Sequence, residues 1–170
     1  MQNGGFESSH VLGVPDYFFV NGGGSTPHLT SSAEAFMILD GRTSHSGDWS
    51  LRLVSPAANC GLVLTAFPVD LSPNRSYVAS VWARPSQPGL AMTMGAPSGG
   101  WQTPMHTIQL GAAGVWAQHN VSITSGATSS DMYNGQLMLS LASRGTLWVD
   151  DLELFDVGPV GAVGLGVVVD

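Results

Sequence analysis

Alternation of apolar and polar residues with a period of two is the feature that most restricts how this chain can fold. In residues 76–84 and 136–143, apolar side chains occupy every second position: Tyr77, Ala79, Val81, Ala83, Leu137, Leu139 and Leu141. Successive side chains of a strand point to opposite faces of its sheet, so both segments predict half-buried strands. The period of 3.6 typical of helices is almost absent, and Gly41 would stop the one short helical turn that segment 33–39 allows.

Clusters of turn-forming residues separate the apolar segments, as in Asn21-Gly22-Gly23-Gly24 and Pro97-Ser98-Gly99-Gly100. Many short strands at this spacing predict an all-β fold, a two-sheet antiparallel β-sandwich of the jelly-roll type. We expect one domain over residues 1–157, followed by a Gly- and Val-rich linker or the start of another segment over 158–170. The predicted strands cover residues 3–7, 17–20, 34–39, 49–55, 61–69, 76–84, 90–95, 105–110, 115–124, 136–143 and 146–156.

The same alternation predicts which side chains point away from the core. Trp82 and Arg84 stand on the face of segment 76–84 that is opposite its apolar set. Gln136 and Gln109 take the equivalent outward positions in their own strands. We therefore expect at least two strands to carry long polar or flat side chains on an outer face.

The charge pattern excludes several classes of partner. The chain has no lysine, five arginines, twelve acidic residues and a net charge of -7. A protein that grips phosphates needs clustered positive charge, so nucleic acid and anionic membranes are not expected as partners. No segment has the length of a transmembrane helix. The single cysteine, Cys60, cannot form a disulfide within the chain.

An ordered series of short motifs gives the chain a family resemblance. The motifs are Asn3-Gly4-Gly5-Phe6-Glu7, Pro15-Asp16-Tyr17-Phe18, His45-Ser46-Gly47-Asp48-Trp49-Ser50-Leu51-Arg52-Leu53, Leu71-Ser72-Pro73-Asn74-Arg75-Ser76-Tyr77, Ser80-Val81-Trp82-Ala83-Arg84 and Leu147-Trp148-Val149-Asp150-Asp151-Leu152-Glu153-Leu154. Over roughly residues 2–156 this order resembles the carbohydrate-binding modules of the galactose-binding-like jelly roll, in particular those appended to xylanases and glucanases. The family pattern often has Trp where Tyr17 or Phe18 stands, and residues 90–135 match none of its motifs.

The resemblance implies a structural calcium ion where the first and last strands meet. Glu7 and Asp150 would supply carboxylates, with Asp151 as the less favoured closing ligand, and the carbonyls of Ser46, Gly47 and Asp48 would complete the shell. Oxygen ligands of this kind suit calcium. Asp150 alternates in step with Leu152 and Leu154, so we expect its side chain to point toward the interior, where an unpaired charge is costly. The alternative is that Glu7 and Asp150 only accept hydrogen bonds from turn amides.

The resemblance also implies a non-catalytic, secreted module that binds a plant or algal polysaccharide such as xylan or β-glucan and targets an appended catalytic domain. Aromatic rings would stack on sugar faces, and planar polar side chains would bind the hydroxyls. The expected cleft residues are Trp82, Arg84, Trp101, Gln109 and Gln136. A second arrangement uses the loop tips, where Tyr17 would contact the glycan. Two sequons, at Asn74 and Asn120, agree weakly with secretion.

Two other classes of function stay open at this point. One is a structural or adhesive domain of an extracellular protein. The other is a small glycan-active enzyme, although the sequence has no zinc, serine-hydrolase, P-loop or dinucleotide motif. A glycosidase needs two carboxylates facing one cleft, and Asp150 and Asp151 are expected to face opposite ways on one strand. Sugar binding or glycan release by the isolated chain would separate the three classes.

Overall fold

Ten strands and no helix make up the described part of the chain in its computed structural model. The structure describes Gly5, Glu7 and residues 18–22, 36–56, 62–66, 72–95, 105–125, 137–141 and 143–161. No helix capable of crossing a membrane occurs within these ranges. The strands are β1 (Phe18–Gly22), β2 (Phe36–Asp40), β3 (Ser50–Ser55), β4 (Leu62–Ala66), β5 (Arg75–Pro85), β6 (Ala91–Gly95), β7 (His106–Gln109), β8 (Ala117–Thr124), β9 (Leu137–Leu141) and β10 (Gly145–Pro159).

The strands form two five-stranded sheets. Sheet A has the order β1-β4-β9-β6-β7, and sheet B has the order β2-β3-β10-β5-β8. All neighbouring strands are antiparallel. The predicted two-sheet antiparallel sandwich is confirmed. Ten of the eleven predicted strands form, whereas at the first of them Gly5 lies in a turn and Glu7 outside any strand.

The core lies between the two sheets and follows the alternation in the sequence. Sheet A contributes Leu137, Leu139 and Leu141, each 1% exposed. Sheet B contributes Leu51 and Leu53 of β3 and four residues of β5, which are Tyr77, Ala79, Val81 and Ala83. Burying each leucine stabilises the fold by about 1.5–3 kcal/mol relative to leaving it in water. Because both inner faces are apolar, the outer faces of the two sheets lie on opposite sides of the sandwich.

A bulge in β10 changes which side chains face inward. The pairing of β10 with β5 shifts between Asp150 and Glu153, and Asp151 has a positive φ of 46°. Asp150 pairs with Trp82, so its side chain leaves β10 on the same side as Trp148, which is the outer face of sheet B. The predicted burial of Asp150 is confirmed, since the residue is 0% exposed. The predicted reason is wrong, because the bulge breaks its alternation with Leu152.

Candidate functional site

The structure separates residues that the sequence analysis had placed in one cleft. Trp82 and Arg84 lie on β5 in sheet B, whereas Gln109 lies on β7 in sheet A. Their outer faces are on opposite sides of the sandwich, so a single cleft cannot contain all three. Alternation reveals the face of a strand but not the sheet to which the strand belongs, which explains the error. Tyr17, Trp101 and Gln136 lie outside the described residues.

On the outer face of sheet B, Trp82 is half-buried and already has an aromatic partner. The His45 imidazole stacks on its indole, with ring centroids 3.8 Å apart and planes 13° from parallel. Trp116 meets the same imidazole edge-on at 5.8 Å. One face of Trp82 is therefore occupied by the protein itself. His45 lies in the loop before β3, and nothing in the local sequence pattern indicates that it contacts β5.

A second aromatic group on this face is built around Trp148 of β10. The guanidinium carbon of Arg84 lies 5.3 Å from the centroid of the Trp148 ring. The Trp148 indole nitrogen donates to Asp40 at 2.9 Å. Burial acts to raise the pKa of Asp40, but the hydrogen bonds from Trp148 and the Arg42 amide and the charges of Arg52 and Arg42 bring it below its ordinary value.

The loop between β2 and β3 joins the opening motif to the closing strand through three carboxylates. Glu7 accepts hydrogen bonds from the amides of Asp48 and Trp49 at 3.2–3.3 Å. Asp150 accepts from the amides of His45 at 2.8 Å, Ser46 at 3.2 Å and Asp151 at 2.8 Å. Gly5 lies beside Asp151, as predicted for the first and last segments.

Asp151 turns toward the same loop as Asp150. Its two carboxylate oxygens contact the His45 ring nitrogen Nδ1 and the Ser46 hydroxyl, both at 2.7 Å. An ionised carboxylate only accepts hydrogen bonds, so this contact favours the His45 tautomer with hydrogen on Nδ1. The prediction that the two adjacent acids face opposite ways is therefore wrong. The positive φ of Asp151 in the bulge rotates its carboxylate to the side of Asp150.

Burial dominates the titration of Asp150. Desolvation raises the pKa of its carboxyl above the ordinary value, and the charge of Asp151 acts in the same direction. The hydrogen bonds from the amides of His45, Ser46 and Asp151 oppose this shift but do not cancel it. At this buried position, the charged form of Asp150 therefore depends on hydrogen bonds from its three amide donors.

The residues predicted to hold calcium come together, but with amide hydrogens facing their carboxylates. Each of the six carboxylate oxygens of Glu7, Asp150 and Asp151 has a hydrogen-bond donor from the protein. No group of three or more metal-ligating side chains among the described residues has the geometry to hold an ion. In this arrangement the residues do not fit calcium, which would require oxygens in place of these donors. The calcium ion implied by the family resemblance is untested, and these hydrogen-bond donors argue against it.

The outer face of sheet A has a different character. Thr93 of β6 pairs directly with Ser140 of β9 on one side and Thr107 of β7 on the other. Directly opposed residues share a face, so three hydroxyl side chains form a row across three strands. No described residue makes a hydrogen bond with any of the three side chains. Gln109 continues this face at the edge strand β7, where it is exposed.

The sequence analysis identified Gln109 on this face but missed Thr93 and Ser140. The signal was present, because Thr93 stands between buried Met92 and Met94, and Ser140 between buried Leu139 and Leu141. The pairing that aligns the two residues depends on strand order, which the sequence does not display.

No family model matches the sequence, and no curated protein matches it. Solved structures do resemble the chain. A candidate sugar binding protein from Bacteroides thetaiotaomicron has a TM-score of 0.69 at 8% identity, covering 92% of this chain and 98% of that one. TmCBM61, solved in complex with β-1,4-galactotriose, has a TM-score of 0.58 at 14% identity, covering 92% and 97%.

A third similar structure is the CBM22-1 xylan-binding domain from Paenibacillus barcinonensis Xyn10C. It has a TM-score of 0.55 at 15% identity and covers 90% of this chain and 91% of the domain. The three structures span nearly their whole length on this chain, so the likeness concerns the complete sandwich. The chain therefore has the jelly-roll fold of solved carbohydrate-binding modules.

Proposed function

We propose that this chain is a non-catalytic module that binds a neutral polysaccharide along the outer face of sheet A. The observation that carries the proposal is the row of Ser140, Thr93 and Thr107 across three adjacent strands. Adjacent strands lie about 4.8 Å apart, so the row offers regularly spaced hydroxyl groups. Each hydroxyl can donate one hydrogen bond and accept others, as sugar hydroxyls do.

One position beside this row has no side chain. It is Gly95, which pairs with Met138 in the next row. Met138 is half-buried and adds an apolar, adaptable surface beside the hydroxyls. Gln109 supplies a planar amide at the edge. A flat polar strip with an apolar neighbour suits the hydroxyls and CH faces of a polysaccharide.

Sheet B is less suited to this role. The ring of Trp82 is stacked by His45, and that of Trp148 lies under Arg84. The Trp82 face that His45 covers and the Trp148 face that Arg84 covers would have to lose these contacts before a sugar could stack on them. The polysaccharide is therefore assigned to sheet A rather than to the pair Trp82 and Arg84.

The similar structures support a sugar as the ligand. TmCBM61 was solved with β-1,4-galactotriose, and the CBM22-1 domain of Paenibacillus barcinonensis Xyn10C is a xylan-binding domain. A further one is a CBM22-1-GH10 protein of Clostridium thermocellum in complex with xylohexaose, of which this chain covers 25%. We propose the same class of ligand here, with xylan and β-glucan tried first, and an appended catalytic domain as partner.

The described acidic residues favour binding over hydrolysis. Asp150 is fully buried, and both oxygens of Asp151 are bonded to His45 and Ser46. A glycosidase needs two carboxylates free to reach the substrate from one cleft. Asp150 and Asp151 instead bind the loop between β2 and β3 through His45 and Ser46.

An extracellular location follows from the proposed ligand, because such polysaccharides occur outside cells. Both sequon asparagines are exposed, Asn74 in the turn before β5 and Asn120 on β8. Glycans would be tolerated at both positions without disturbing the core. Mass spectrometry of the protein secreted from a glycosylating host would test whether they are used.

The test is binding of soluble xylan, β-glucan and galactan by isothermal titration calorimetry, followed by Thr93→Val and Thr107→Val. Each substitution keeps the side-chain shape and removes a hydroxyl, so we expect at least a several-fold loss of affinity. Thr146→Val is the matched control, because Thr146 lies beside Trp148 on the outer face of sheet B. Circular dichroism would verify that all three variants fold.

Undiminished affinity in both sheet A variants would overturn the assignment of the site. If the folded wild-type chain binds none of the polysaccharides on a broad glycan array, the structural or adhesive class replaces the proposal. Release of sugars from any substrate by the isolated chain would contradict the non-catalytic part.

A further inference from the structure

Of the three half-buried arginines that the structure describes, Arg84 is the one without a described carboxylate partner. The chain has twelve acidic residues and five arginines, so a cation should find a carboxylate easily. Arg52 pairs with Asp40 at 3.7 Å, and Arg75 pairs with Asp156 at 2.6 Å. No described carboxylate lies within ion-pair distance of Arg84, although this side chain is half-buried.

The guanidinium of Arg84 is nevertheless held in place. Its Nε donates to the carbonyl of Gly114 at 2.8 Å, and its guanidinium carbon lies over the Trp148 ring. The Gly114 carbonyl is itself positioned, because the Gly114 amide donates to Pro85 at 2.8 Å. Trp148 is fixed from its other end by Asp40. Both supports of the guanidinium are therefore anchored to sheet B.

These contacts use one of the five N–H donors of Arg84 and leave the terminal pair of amino groups. Two parallel N–H groups in a plane match the two oxygens of a carboxylate, and such bidentate pairs are among the strongest hydrogen bonds in proteins. Because the fork is already ordered, little side-chain entropy is lost when it binds a ligand.

The neighbouring charges do not oppose an anion at this point. Asp40 is connected to Arg84 through Trp148, and its charge is offset by Arg52 and Arg42. The net charge of -7 is distributed over the molecule and is screened beyond about 8 Å at physiological ionic strength. A local carboxylate site is therefore compatible with an acidic protein.

The surroundings indicate which carboxylate would bind. Trp82 lies two residues before Arg84, on the same face of β5. Trp116, which is half-buried, follows Gly114 in the loop between β7 and β8. Aromatic rings beside an arginine fork suit a ligand that has both an apolar ring face and a carboxylate. A uronic acid residue of a glycan has both features.

We infer that Arg84 binds the carboxylate of a uronic acid sugar on the outer face of sheet B, at a site separate from the hydroxyl row of sheet A. The inference rests on the proposed function in one respect only, that the ligand is a sugar. The geometry of Arg84, Gly114 and Trp148 is independent of the proposed polysaccharide site.

The test compares trigalacturonic acid with its methyl ester, in which each carboxylate charge is replaced by a neutral ester with one added methyl group. Calorimetric titration of the wild-type chain at low salt should show at least about tenfold tighter binding of the free acid, as expected for a charge-assisted bidentate pair. Arg84→Gln should make the two affinities equal. Arg84→Lys should keep only part of the difference, because an ammonium lacks the planar fork.

Arg144→Gln, which removes an exposed arginine, is the matched control and should leave the preference for the acid unchanged. Thr93→Val should leave it unchanged as well, so that failure of the sheet A site and failure of this site give different results. Equal binding of acid and ester by the wild type, no binding of either, or an unchanged preference in Arg84→Gln would each overturn the inference.

Discussion

The imidazole of His45 lies flat against the indole of Trp82, with 3.8 Å between the ring centroids. His45 belongs to the loop between β2 and β3, and Trp82 belongs to β5. The same histidine bonds to Asp150 through its amide and to Asp151 through its ring. One residue therefore joins the loop to two neighbouring strands of sheet B.

The stack should be measurable as a coupling energy. A double-mutant cycle with His45→Ala and Trp82→Ala in urea unfolding should give about 0.5–1.5 kcal/mol between the two side chains. The same cycle with Trp148→Ala in place of Trp82→Ala is the control, because the structure describes no ring contact between Trp148 and His45. Equal coupling in the two cycles would mean that the stack adds nothing specific.

Removing the buried carboxylate of Asp150 should destabilise the protein strongly. Asp150→Ala leaves three amide donors without their acceptor, and we expect a loss on the order of 3 kcal/mol in the free energy of unfolding. Asp156→Ala is the comparison, because Asp156 is exposed and pairs with Arg75 on the surface. Chemical unfolding monitored by tryptophan fluorescence measures both. A loss in Asp150→Ala no larger than in Asp156→Ala would contradict the stabilising role assigned to the hydrogen bonds of Asp150.

His119 should make the fold sensitive to mild acid. It alternates with Val121 and Ile123 on the inner side of β8, and its Nε2 is buried without a described hydrogen-bond partner. Burial lowers its pKa from the ordinary value of 6.5. Above that pH, His119 is neutral in both the folded and the unfolded state, so it adds no pH dependence to the free energy of unfolding. As the pH falls below 6.5, the unfolded state takes up the proton more readily, so stability is lost.

The measurement is the melting temperature of the wild type and of His119→Leu between pH 7.5 and pH 5. The wild type should lose more stability over this range, because leucine cannot titrate. His106→Gln replaces an exposed histidine and should follow the wild type. Parallel curves for wild type and His119→Leu would show that His119 does not carry the acid sensitivity.

Calcium gives a direct test of the junction between Glu7, the loop and β10. Because every carboxylate oxygen there has a protein donor, we expect the same melting temperature in calcium and in chelator. An ion that binds only the folded state must raise the melting temperature. A clear rise with calcium would restore the metal site implied by the family resemblance and would require the carboxylates to exchange their amide partners for the ion.

The strand pattern was predictable because it depends on residues that are neighbours in the chain. Alternation at Leu137, Leu139 and Leu141 identifies a half-buried strand wherever that strand lies in the sheets. The turn clusters separate such strands, and the class of fold follows from their number and length. The order of motifs also suggested that the opening segment meets β10, as the contact of Gly5 with Asp151 confirms.

The candidate site was predictable only in part, because a site depends on which strands become neighbours. Outward positions of Trp82, Arg84 and Gln109 were visible in the sequence, but alternation is identical for a strand of sheet A and a strand of sheet B. Strand order places Thr93 between Ser140 and Thr107, and it separates Gln109 from Arg84. A single backbone bulge also turns Asp151 to the side of Asp150, against the local pattern.

Local alternation and turn chemistry act within a few residues, so the all-β class, the strand segments and the inward apolar residues can be predicted from the chain alone. The side chains that share an outer face, the burial of Asp150 and the contacts of Arg84 with Gly114 and Trp148 depend on the tertiary structure. Those properties arise from pairing between distant segments, and the free energy of that pairing comes from the shared core and not from either segment alone.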